Sequence, residues 1–70
     1  MNSKKLKIKL LELDKSLDEL AAYIGCNIAT LYRKLNGESD FSRSEVQLIA
    51  AFLSLSASDV NSIFFDDKLA

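Results

Sequence analysis

Residues 24–37 read IGCNIATLYRKLNG, and the fold turns on how this stretch is divided. Gly25 falls between two runs with apolar residues at helical spacing. Glycine takes positive φ at a helix end without a Cβ clash, so it stops the first run. Asn27 follows at once, and asparagine is a preferred residue for starting a helix, because its side chain accepts a bond from a free backbone N–H. The stretch therefore predicts a helix ending at Ile24, a turn of about three residues, and a second helix over 28–35 closed by Asn36-Gly37. Leu31 and Leu35, one turn apart, form its inward pair.

Working outward, Ser16-Leu17-Asp18-Glu19 is a capping box, serine followed three residues later by glutamate. It opens a helix over 17–24 with Leu20, Ala21 and Ile24 inward. Asn2 or Ser3 caps a first helix running to about Leu13 or Asp14. Leu6, Leu10 and Leu13 form its apolar stripe, widened by Ile8 and Leu11. Ser42-Arg43-Ser44-Glu45 is a second capping box, and it starts a helix to about Leu53 with Val46, Ile49, Ala50 and Leu53 inward. Ser56 caps a short fifth helix over about 57–64. Proline is absent and the only glycines are Gly25 and Gly37, which suits short helices with tight turns. The expectation is an all-α fold of five short helices in one domain over residues 1–70.

Residues 16–37 form a helix-turn-helix layout. It needs a small residue where the helices cross, met by Ala21, and a left-handed turn, met by Gly25. It also needs apolar residues to seal the pair, met by Cys26 and Leu31. A plain helical hairpin shares that layout, so the outer face of the third helix decides between them. With Leu31 and Leu35 inward, Ile28, Ala29, Tyr32, Arg33 and Asn36 are expected outward, a face with no acid. Those groups suit major-groove readout. An arginine such as Arg33 binds guanine O6 and N7 with two bonds, and apolar Ile28 and Ala29 meet thymine methyls. Tyr32 and Asn36 bond bases or phosphates. Asn27 and Thr30, at the helix start, face a phosphate.

Composition narrows the alternatives. Histidine is absent and Cys26 is the only cysteine, which removes nucleophile–histidine pairs and spaced Cys/His zinc sites. No enzyme, metal or cofactor is expected. One cysteine and no signal-peptide pattern point to a reducing cytoplasm, and no apolar run is long enough to span a membrane. Net charge is −1, but it is unevenly spread. Residues 1–35 carry seven Lys/Arg against four Asp/Glu, while residues 36–70 carry two against six. An acidic chain can still present a basic face. Lys4, Lys5, Lys7 and Lys9 near the start of the first helix oppose its macrodipole, which hints at an anionic partner. Ile63-Phe64-Phe65 cannot all be buried on one helical face; the tail either packs on its own core or makes a homodimer contact flanked by Asp66 and Asp67, and the homodimer contact is the expectation.

Ser16 through Gly37 resembles the helix-turn-helix of the phage repressor and Cro proteins, the lambda-repressor-like (XRE) family. That pattern has a small residue in the first helix, Gly in the turn, a Ser/Thr-rich start to the recognition helix, then Asn-Gly. Ala21, Gly25, Thr30 and Asn36-Gly37 occupy those places. The resemblance extends over about residues 4–64, and Asp40 through Glu45 resembles small phage regulators of the family. It implies base readout by Ile28, Ala29, Tyr32 and Arg33. It implies backbone contacts at Asn36, Ser42, Arg43 and Lys34, beside those of Asn27 and Thr30. Lys34 stands where the family often has an aliphatic residue. A dimeric Cro-like regulator on double-stranded operator DNA is the implied function, since 70 residues leave no room for a sensing domain. The alternative is a protein-binding module on the same fold, an antirepressor gripping a repressor partner. The pI of about 5.2 and apolar Ile28, Tyr32 and Phe64-Phe65 fit that reading.

Overall fold

The structure, a computed structural model, describes residues 1–65. Asp66 and Asp67 lie outside the described residues. Five helices follow one another: α1 (Ser3–Glu12), α2 (Leu17–Ile24), α3 (Ile28–Leu35), α4 (Arg43–Leu53) and α5 (Ala57–Phe64). There is no strand among the described residues, and the fold is all-α as expected.

Each helix starts on a side-chain cap. Asn2 caps α1 and Asn27 caps α3. Ser16, Ser42 and Ser56 open α2, α4 and α5, and each also donates its own amide to the carboxylate of the acid three residues on. Four helix ends share one device, in which the two amides after the last turn fold back on its carbonyls. At Gly25, the Cys26 amide donates to Ala21 and the Gly25 amide to Ala22. Gly37 repeats the arrangement, with bonds to Arg33 from Glu38 and to Lys34 from Gly37. Asp14 (φ 56°) and Ser54 (φ 52°) close α1 and α4 the same way without being glycines.

The core is built from Leu6, Leu10, Leu20, Ala21, Leu31, Leu35, Ile49, Leu53 and Ile63. All five helices contribute, with α2 packed on α3 and α4, and α5 on α1 and α4. The stripe of α1 is narrower than expected. Leu6 and Leu10 are buried, but Ile8, Leu13 and Leu11 (80% exposed) are not. The reason is angular: Ile8 sits about 200° around the helix from Leu6, and Leu11 about 100° from Leu10. Leu13 follows the last helical residue. The chain's start is tied to its far end by a 2.6 Å bond from the Asn2 amide to the Ile63 carbonyl.

Candidate nucleic-acid interface

The α2–α3 hairpin places the residues expected to read DNA. Gly25 bends left-handed (φ 82°), and Ala21, with almost no exposure, leaves room for α3 to approach α2. Asn27 Oδ1 accepts from the Thr30 amide at 2.8 Å and fixes the start of α3. Leu31 and Leu35 anchor the helix in the core. That orientation leaves Ala29, Tyr32, Arg33 and Asn36 exposed on one side. No acid lies in α3, and its last turn is basic. The Arg33 guanidinium has no hydrogen bond or ion pair among the described residues, and the same holds for Arg43 at the start of α4.

Ile28 departs from the expected placement. It is half-buried and packs against the core instead of standing with the outward set. Spacing explains this, because Ile28, Leu31 and Leu35 are three and four residues apart and share one helical face. Lys34 departs further. Its ammonium donates to both carboxylate oxygens of Glu45 at 2.6 Å and lies 5.7 Å from the Phe41 ring centroid. The expected phosphate cation is thus bonded inside the molecule. Ser42 is also engaged, its Oγ accepting from the Glu45 amide at 3.1 Å.

Glu45 is more than the cap that the sequence predicts. Its carboxylate also accepts from the Ser42 amide at 2.8 Å. Burial pushes its pKa up, but the bonds from Lys34 and Ser42 outweigh this and hold it below the ordinary 4.5. The capping box was readable, whereas its partner Lys34 is eleven residues away and no local pattern links them. Glu38 and Asp40 add two exposed acids in the loop after α3.

The aromatic cluster at the end of α5 is divided. Ile63 is 2% exposed and belongs to the core, so it is not free to meet a second copy. Phe64 is half-buried, edge-on to Phe41 at 5.7 Å between centroids. Only Phe65, 61% exposed, stands out at the rim of an open cleft of about 330 Å³. Among the described residues no cluster of potential metal ligands occurs, and no helix is long and apolar enough to cross a membrane.

Comparison with known proteins agrees with this geometry. No curated protein and no solved structure matches the chain. A helix-turn-helix family model matches residues 6–60, which takes in α2, α3 and α4, most of α1 and the first half of α5. The chain belongs to the XRE-like helix-turn-helix family, a family of DNA-binding regulators.

Proposed function

We propose that this chain is a sequence-specific transcriptional regulator of phage Cro/repressor type that reads operator DNA in the major groove with α3. The observation that carries the reading is the exposed side of α3. Ala29, Tyr32, Arg33 and Asn36 lie together there, with a guanidinium unengaged among the described residues and no acid on the helix. Major-groove readout needs that set, namely a two-pronged donor, an amide and a small apolar contact for a thymine methyl. Ile28, turned toward the core, contributes the floor of this face more than a base contact. Asn27 and Thr30 at the helix start, with Ser42 and Arg43 at the start of α4, flank it for backbone contacts. Two copies joined through Phe65 and the exposed part of Phe64 would engage half-sites about 34–36 Å apart.

The test is selection of bound sequences from a random duplex pool, followed by binding at several salt concentrations. A defined, two-fold symmetric site and a steep fall in affinity with salt are expected. A specific observation favours a competing protein-binding role. The Lys34 charge is paired with Glu45, and the exposed acids Glu38 and Asp40 follow in the next loop, so the region is less positive than the sequence suggests. Absence of any selected sequence, together with co-elution with a repressor domain, would establish that role instead.

A further inference from the structure

Three helices open on capping boxes, and two of the capping acids also meet a lysine of another helix, Asp59 at 3.7 Å from Lys9 and Glu45 at 2.6 Å from Lys34. Glu19 and Asp59 each bond back to the backbone of their own helix start. Glu45 does the same and also holds Lys34, with both side chains largely withdrawn from solvent (13% exposed for Lys34, 18% for Glu45). One carboxylate therefore joins the last turn of α3 to the first turn of α4 and spans the connection 36–42. The same ammonium sits over Phe41, near the end of that connection. Helix α3 packs principally on α2, so this ion pair is its polar tie on the α4 side. Arg33 immediately precedes Lys34, and its carbonyl accepts from the Glu38 amide at 2.9 Å. Any rotation of the last turn of α3 moves the Arg33 guanidinium and the loop together.

We propose that Lys34 and Glu45 form a brace that sets α3 and the loop 36–42 for DNA. Lys34 then acts through Glu45 as a positioning residue and contacts no phosphate. This inference rests on the assignment of α3 as the DNA-reading helix. It makes a prediction of opposite sign to simple electrostatics. Removing an acid beside a DNA-binding face ordinarily strengthens binding, because the phosphate backbone is repelled less. Loss of Glu45 as a brace weakens it.

The experiment compares wild type, Glu45→Gln, Lys34→Met and the double variant on the duplex selected by wild type, across a salt series with melting followed in parallel. Glutamine keeps an acceptor for the Ser42 amide, and methionine keeps an unbranched stem over Phe41, so both variants retain the cap and the packing. Each single variant is expected to bind about tenfold more weakly, and the double variant no more weakly than either, as for two residues acting as one unit. The salt dependence is expected to match wild type. Equal or tighter binding by Glu45→Gln overturns the brace. So does a Lys34→Met salt slope shallower by about one, the mark of a lost phosphate contact. Lower melting temperatures with unchanged affinity of the folded proteins would show a structural role only and overturn it as well. If wild type selects no sequence, the DNA reading of α3 fails first, an outcome distinct from failure of the brace on a bound site.

Discussion

Arg33 is the side chain on which the proposed readout most depends, because its guanidinium is exposed and unengaged among the described residues. Arg33→Ala is expected to cost about 1–3 kcal/mol of DNA binding and to relax preference at one base pair, measured by titration of single-base operator variants. Gly25 matters for another reason. A Cβ there would touch nothing within 4 Å, yet its φ is +82°. Gly25→Ala is therefore expected to destabilise by about 1–2 kcal/mol through backbone conformation alone, seen in denaturant unfolding. This residue was legible in the sequence because glycine announces the left-handed turn. Asp14 and Ser54 take the same conformation with side chains attached; aspartate tolerates it better than most residues, but far less distinctively than glycine. Ile28 was legible in principle, since its spacing to Leu31 already put it on the inner face.

Elements were more readable than single side chains, and caps explain why. An N-cap and its acid sit within four residues, so Ser16 with Glu19, Ser42 with Glu45 and Ser56 with Asp59 could be seen in the chain and are formed in the structure. The same boxes link stability to pH. Glu45 has a folded pKa below its ordinary 4.5, and Asp59 is lowered from 3.8 chiefly by its Ser56 backbone bond. A depressed carboxyl stabilises the fold above its unfolded pKa, and that contribution is lost as pH falls through the folded value. Melting of the wild type is expected to decline below about pH 4.5, and Glu45→Gln to decline less over the same range. Equal slopes for the two proteins would show that the Glu45 bonds add nothing to stability. The outer side of α1 was less readable, because an apolar residue at the wrong angle looks the same in sequence as one at the right angle.

At the scale of the whole molecule, what escaped the sequence is what joins distant segments. Lys15 bonds the Phe52 carbonyl at 2.9 Å, Lys9 lies 3.7 Å from Asp59, and Lys34 reaches Glu45. Such pairs follow from three-dimensional proximity and have no periodic signature. The burial of Ile63 likewise depends on α1 lying against α5. The proposed self-association should therefore respond to Phe65 and not to core stability. Phe65→Ser is expected to weaken dimerisation about tenfold in sedimentation equilibrium, in the range of losing one buried aromatic contact, with melting nearly unchanged. The placement of the two tyrosines also has an optical consequence. The chain has no tryptophan, so tyrosine emission is not masked. Tyr32 stands on the proposed reading face, whereas Tyr23 packs at a tilt against Phe52, 4.7 Å between centroids. A Tyr23→Phe variant leaves a single fluorophore on α3. Its emission is expected to fall on titration with the selected duplex and to stay constant with an unrelated one, so the chain would report its own engagement without a dye.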